Sequence, residues 1–182
     1  MDEQAKKILI NIARKAVEAA VKKEPVPSFP CTHPDLLGNQ GVFVTLKTNG
    51  ELRGCLGRFV SDVVPLYRLV SEIAFSSAVN DSRFTHNRLK PSEINQLEIS
   101  ISVLSPLKQI KNPLDFELGQ HGIMIKSGSR SGCFLPQVAT ETGWSKEEFL
   151  SQLCAGKAGL PADAWKMEDV EIYTFTAEII KS

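Results

Sequence analysis

The sequence predicts an α+β fold, a mostly antiparallel sheet flanked by helices, and three observations carry that prediction. An amphipathic helical stripe opens the chain. An Asn-Gly pair then sits between two strand-like runs. Beyond it, helices and hairpins are interspersed without a regular β-α-β rhythm, which a doubly wound parallel sheet would require. At 182 residues the chain is long enough for one sizeable core and too short for two ordinary domains.

The first helix is written in the stripe Ile8, Leu9, Ile12, Ala13, Ala16, Val17, Ala20 and Val21, with Asp2 as its N-cap and Pro25 beyond its end. Prolines 25, 27, 30 and 34 make the next segment an extended surface loop. The run GVFVTLK is a strand, Asn49-Gly50 a type I′ turn, and LRGCLGRF the returning strand. A two-residue turn puts Thr48 opposite Glu51, Arg53 opposite Leu46 and Cys55 opposite Val44. Val42, Val44, Leu46, Arg53, Cys55 and Gly57 then share one face.

SDVVPLYRLVSEIAFSSAVN reads as the second helix, with Pro65 near its first turn, and runs into a polar turn carrying Asp81 and Arg83. LKPSEINQ is a short turn or helix, and LEISISVL alternates as a half-buried strand. SPLKQIKNPLDFELGQ is a connector with a short helix in it. Two strands flanking a Gly/Ser loop follow, with Pro136 marking an edge strand or a strand end. Ser145-x-x-Glu148 is a capping box that opens a helix, Gly156 or Gly159 stops it, and one long final strand closes the chain.

Hydrophobic residues are 42% and charged residues 23%, an ordinary globular balance. Formal net charge is zero, so no global field draws the chain to nucleic acid or to an anionic membrane. No run approaches the roughly 18 apolar residues of a transmembrane helix. The start MDEQAKK has no apolar signal region, and the expected location is cytoplasmic. Cys31, Cys55, Cys133 and Cys154 form no C-x-x-C pair and no zinc-finger spacing, so no metal is expected and the thiols should be free. Cys31-Thr32-His33 lacks a second Cys/His pair and reads as an ordinary loop.

The chemistry concentrates at LRGCLGR. A thiolate is the reactive form of cysteine, and nearby positive charge favours it; Arg53 is the expected neighbour, with Arg58 on the other face unless a bulge at Gly57 turns it. Gly54 and Gly57 allow a ligand to approach closely, or let the second helix pack tightly on the strand. A buried cysteine acting as a small hydrophobe is the alternative for Cys55. A nucleophilic cysteine needs a base, and His33, His86 and His121 are the histidines on offer. Asp81 and Arg83 are either a local cap or a carboxylate and a guanidinium facing Cys55, the latter able to hold an anion bidentately. The KSGSRSG loop with Arg130 could bind phosphate or RNA, but it carries no aromatic residue for stacking, and an ordinary solvated hairpin loop is the expected reading.

LRGCLG, preceded by GVFVTLKTNGE, resembles the signature of the AMMECR family, named after the human chromosomal region of Alport syndrome, midface hypoplasia and elliptocytosis. Prokaryotic members are called AmmeMemoRadiSam system protein A. The family hexapeptide usually has isoleucine where this chain has Leu56. NDSRF, GQHGIMI, FLPQV and GWSKEEFLSQLCAGKAGL extend the likeness along nearly the whole chain. The resemblance implies a single domain over residues 1–182 with a larger and a smaller subdomain around an antiparallel sheet, and no firmly established activity. It implies association with a Memo-like protein and a radical S-adenosylmethionine protein. It makes Leu52 to Gly57 the motif, with Asp81, Arg83, His121 and Pro136 in support, and ranks His86 below His121.

The expected function is an enzyme, or an enzyme-system subunit, with a small-molecule cleft. Cys55, Asp81 and His121 are its catalytic candidates. Arg53, Gly54, Gly57, Arg83 and Pro136 are its binding candidates. The rivals are a non-catalytic adaptor for the Memo-like or radical partner and a nucleic-acid-binding regulator, which the charge balance disfavours. No cofactor and no substrate are legible; no membrane partner is expected, and a homodimer is one expected assembly.

Overall fold

The computed structural model describes residues 1–60 and 64–182, and the chain falls into two compact units: Met1–Leu104 with Glu178–Ser182, and Ser105–Ala177. Each unit contains one four-stranded antiparallel sheet.

In the first unit, helix α1 (Glu3–Lys22) starts where expected, because the Asp2 carboxylate accepts a 2.7 Å hydrogen bond from the Ala5 amide. It ends at Lys23, whose φ of 60° turns the chain out of the helix. Its stripe is rich in alanine, and Ala5, Ala13 and Ala16 are fully buried in one cluster with Leu69, Val70 and Ala74 of helix α2 (Leu66–Val79). Pro65 is the N-cap of α2; the Ser61–Val63 part of the expected helix lies outside the described residues.

The sheet of this unit has the order β2-β1-β3-β8, with β1 Gln40–Thr48, β2 Glu51–Val60, β3 Leu97–Leu104 and β8 Ala177–Lys181. Asn49 and Gly50 have φ of 52° and 77°, the two positive values of a type I′ turn, so the hairpin closes as the sequence predicts. Val42, Val44 and Leu46 of β1 and Ile99 and Ile101 of β3 are buried against the helices. PSEINQ forms the expected short helix, a 3-10 turn over Pro91–Gln96.

The register beyond the turn differs from the expectation. Thr48 faces Glu51 and Lys47 faces Leu52, but Leu46 faces Gly54, Thr45 faces Cys55 and Val44 faces Leu56. Arg53 is the extra residue of a β-bulge, and a one-residue slip moves every later side chain to the opposite face. Cys55 therefore shares its face with Thr45 and not with Val44. Gly54 and Leu56 turn toward the helices instead.

The second unit has the sheet order β4-β7-β5-β6, with β4 Lys108–Ile110, β5 Gly122–Ser127, β6 Arg130–Phe134 and β7 Glu171–Phe175. The connector holds strand β4 where a short helix was expected. Pro136 does follow a strand end, and it opens helix α3 (Pro136–Thr142). Helix α4 (Lys146–Leu153) has the predicted capping box: the Ser145 hydroxyl accepts from the Glu148 amide at 3.2 Å and Glu148 accepts from the Ser145 amide at 2.8 Å. It runs into a π-helical turn, Cys154–Ala158, and stops at Gly159 with φ 64°. The long final strand is two strands. The chain breaks at Thr176, which exchanges backbone and hydroxyl bonds with Ser105, so that β7 and β8 serve different sheets.

Gly54 packs directly under helix α2: a Cβ there would collide with the Ser77 carbonyl oxygen. Gly54→Ala must push β2 and α2 apart, and we expect a loss of about 1–3 kcal/mol, read as a lower urea midpoint with an unchanged slope.

Candidate functional site

The bulge at Arg53 is locked by charge. Its guanidinium donates to Glu51 Oε2 at 2.8 Å and to Glu93 Oε1 at 2.9 Å, with a third contact from Nε to Glu93 at 3.3 Å. The Thr48 hydroxyl donates to the same Glu93 oxygen at 3.2 Å, and the Lys90 amide holds the other at 2.9 Å. The hydrogen bonds that Arg53 donates to Glu51 and Glu93 raise its pKa, and the Lys90 amide together with Arg53 lowers that of Glu93. Arg53, 8% exposed, is thus committed to Glu51 and Glu93 and is not the side-by-side partner of Cys55 that an unbulged hairpin implies.

On the other side of the bulge, Cys55 stands on the outer face of the sheet. Ser100 of β3, Thr45 of β1 and Cys55 of β2 lie abreast across three strands. Thr45 Oγ1 lies 3.2 Å from Cys55 Sγ. In the next row the Phe43 ring lies over Gly57, filling the space of the missing side chain, and stacks edge-on against Phe59 at 5.4 Å. Both glycines of the motif are therefore close-packing positions, one against a helix carbonyl and the other under an aromatic ring.

Strand β2 is an edge strand, and the polar atoms of Cys55 point out of the sheet. Asp81 and Arg83 close that edge. The Cys55 amide donates to Asp81 Oδ2 at 2.9 Å, and the Cys55 carbonyl accepts from Arg83 Nη2 at 2.8 Å. The two side chains are bound to each other through Nε to Oδ1 at 2.9 Å and Nη2 to Oδ2 at 2.7 Å, and the Arg83 amide also donates to Oδ1. The Arg83 side chain therefore points at the site, as one expectation held, but its Nε–Nη2 edge is occupied and cannot grip an anion bidentately. On the inner side the Ser77 hydroxyl accepts from the Leu56 amide at 3.1 Å and donates to the Val44 carbonyl at 3.0 Å, bridging β1 and β2.

The guanidinium of Arg83, before the amides of Cys55 and Arg83, holds the Asp81 carboxyl below its ordinary value of 3.8, although burial opposes it. Arg83 is raised by Asp81 first and by the Cys55 side chain to a lesser degree, so the guanidinium lies within the field of the sulfur.

His121 and Pro136 belong to the second unit. His121 Nδ1 accepts from the Glu117 amide at 3.0 Å, and Pro136 is the buried first residue of α3. Arg130 donates to the Gly159 carbonyl at 2.8 Å, which commits it to the helix end and away from the phosphate role its loop suggests. His86 is exposed. Cys154 is buried, and burial pushes its thiol up.

Two other features lie apart from this site. A groove of about 460 Å³ is lined by Val26–Pro30 of the proline-rich segment and by Tyr67, Arg68, Ser71 and Glu72 of α2, none of them a predicted site residue. Asp2, His33 and Asp35 bring donor atoms within 4.8 Å of one another and could hold a cation, but Asp2 already caps α1 and both acids are exposed, so we assign no metal. No helix among the described residues is long and apolar enough to cross a membrane.

Thr45, Ser77 and Glu93 are the site residues that sequence reasoning missed. Each is found only once the true register of β1 and β2 is known. The AMMECR1 family model matches residues 10–180. The chain belongs to the AMMECR1 family. A protein of the archaeon Methanopyrus kandleri is 43% identical over 95% of this chain and 86% of its own length, and one of Thermococcus onnurineus is 40% identical over 95% and 88%. The crystal structure of an uncharacterized protein from Pyrococcus horikoshii superposes with a TM-score of 0.89 at 38% identity, covering 98% of this chain and 92% of that one. The α+β architecture of this family member is thus shared with an experimental structure.

Asp81 is 4% exposed and has a depressed pKa, so the stability it supplies is present above its unfolded value near 3.8 and is lost as pH falls through the lower folded value. Asp81→Asn should lower unfolding free energy by about 1–2 kcal/mol at pH 7. The difference from the parent should shrink in urea titrations run below about pH 4.

Proposed function

We propose that this AMMECR1-family protein is a thiol enzyme, or the thiol-bearing subunit of an enzyme system, with Cys55 as its nucleophile. The observation that carries the reading is the grip on one residue: Asp81 and Arg83, 26 and 28 residues away, bind the amide and the carbonyl of the residue that bears the sulfur. A thiol used only as core filling would sit on the inner face with Val44 and need no such clamp.

In this reading the Cys55 thiolate attacks an electrophilic carbon of a small substrate. A carbon–sulfur bond forms, the leaving group departs with the bonding pair, and the thiol proton goes to water. Arg83 has its Nη1 hydrogens left for a single-point contact with an anionic group on that substrate. Asp81 positions and does not carry the proton, because both its oxygens accept hydrogen bonds and its pKa is lowered.

The whole chain is proposed to work as one functional domain, supported by a family match that runs through both compact units. The cytoplasm as its compartment is supported by cysteines that are all free thiols. Docking to a Memo-like or radical S-adenosylmethionine protein is the second reading; it rests on the family association, and the geometry at Cys55 favours the thiol.

Native protein is treated with iodoacetamide at pH 7, and the four cysteines are compared by peptide mass spectrometry. We expect Cys55 to label ahead of buried Cys154 and to slow several-fold in Arg83→Gln, where the positive charge beside the sulfur is removed. Labelling of Cys55 only after unfolding would sink the thiol reading and move the weight to the adaptor.

A further inference from the structure

We infer that the groove between the proline-rich segment and helix α2 is a binding site for a small amphiphilic anion, an aryl carboxylate whose charged end is held by Arg68 and Ser71. The groove shares no residue with the Cys55 site. Its volume of about 460 Å³ falls within the range of small-molecule pockets, about 300–1,000 Å³, and exceeds what a bare inorganic ion fills. One wall is Val26, Pro27, Phe29 and Pro30, a stretch without helix or strand whose rings present flat apolar surface. The other wall is α2, where Tyr67 and Ser71, and beside them Arg68 and Glu72, stand one helical turn apart. An apolar wall facing a polar one fits a ligand with a flat body and a charged end.

Ser71 points to a ligand. It is 6% exposed, yet its hydroxyl has no hydrogen-bond partner among the described residues. A helical hydroxyl ordinarily returns to the carbonyl four residues back, as Thr142 does to Val138 at 2.8 Å. Buried polar groups are nearly always paired, because an unpaired one costs stability. A buried hydroxyl that lines a groove and has no protein partner is placed for one that enters the groove. Arg68 sets the charge of that partner. It is the third residue of α2, in the first turn, where the helix dipole disfavours a cation. Glu72 lies 3.8 Å from Arg58 instead, and Arg68 has no ion pair among the described residues. Arg68 and Ser71 are three residues apart and so neighbours on the helix surface, and one carboxylate satisfies both. Glu72 lines the same groove and repels the second charge of a phosphate monoester, so a single negative charge is the better fit.

The test uses the full chain, isotope-labelled for amide NMR, with three probes: naphthylacetate, its neutral amide naphthylacetamide, and acetate. We expect naphthylacetate to shift the amide signals of Ser28, Phe29, Arg68 and Ser71 and to saturate with a Kd below about 1 mM. The neutral amide should bind about tenfold more weakly, and acetate, which lacks the apolar body, more weakly still. Arg68→Gln should bind the acid and the amide alike. Ser71→Ala should weaken naphthylacetate about fivefold and, in the free protein, raise the urea midpoint, since alanine suits a helix and leaves no hydroxyl unpaired. A serine with a purely structural role would lower the midpoint on substitution. A lower midpoint in Ser71→Ala, or parent-like affinity in that variant, overturns the role of Ser71. Equal binding of acid and amide by the parent overturns the anion. A weaker or unsaturable response to naphthylacetate, or shifts centred away from the groove, overturns the site.

Discussion

The site depends on one irregularity, the β-bulge at Arg53. Strand side chains alternate, so inserting a single residue between Leu52 and Gly54 exchanges the two faces of everything that follows. Without it Cys55 would lie beside Val44 in the apolar cluster, and Gly54 would be turned away from α2. With it, Gly54 lies under the Ser77 carbonyl, where no side chain fits, and Cys55 stands beside Thr45. Three contacts from Arg53 to Glu51 and Glu93 hold the extra residue in place. Burying a guanidinium costs free energy unless it is paired and hydrogen-bonded, and here two carboxylates and the supporting Thr48 and Lys90 donors satisfy that condition. The arginine of the motif is therefore committed to the bulge, and the bulge sets the face on which Cys55 stands.

A second constraint follows from the place of β2 at the edge of its sheet. Edge strands leave amide and carbonyl groups without a neighbour. At Cys55 the missing strand is replaced by an ion pair. Asp81 supplies the acceptor and Arg83 the donor, spaced by their own bidentate contact to match the amide and carbonyl of one residue. The Ser77 hydroxyl does the same work on the inner side, joining Leu56 to Val44. The segment that carries the thiol is thus held from both sides by side chains, and both sets of anchors come from one stretch of chain, Ser77 in the last turn of α2 and Asp81 and Arg83 just past its C-cap Asn80.

Much of the fold was legible because its signals are local. The alanine-rich stripe of α1, the Asn49-Gly50 turn, the alternation of β3 and the Ser145–Glu148 capping box each depend on residues within a few positions of one another. The bulge has no such local signal. Arg53 has no unusual neighbour in sequence, and its decisive partner Glu93 lies 40 residues away. Thr45 is one more β-branched residue in a strand until the register places it against the sulfur. The break at Thr176 was invisible for a similar reason: apolar character continues from Ile172 to Ile180, and only the pairing of Ser105 with Thr176 separates the two strands. That Cys55, Asp81 and Arg83 could lie together was readable as one of two alternatives; which atoms of each meet required distances.

That division bears on what the site can do. Arg83 has five N–H donors, and its contacts to both Asp81 oxygens and the Cys55 carbonyl use the Nε–Nη2 edge. What remains toward solvent is Nη1, enough to orient one oxygen of a ligand and too little to clamp a carboxylate by both. Asp81, charged and enclosed, is the counterion that lets Arg83 stay ordered beside a thiol at neutral pH. An arginine without that partner would be free to follow the ligand or the solvent, and the Cys55 carbonyl would lose its donor. Under the proposed thiol reading, the carboxylate would serve chemistry it never touches, by fixing where the positive charge stands.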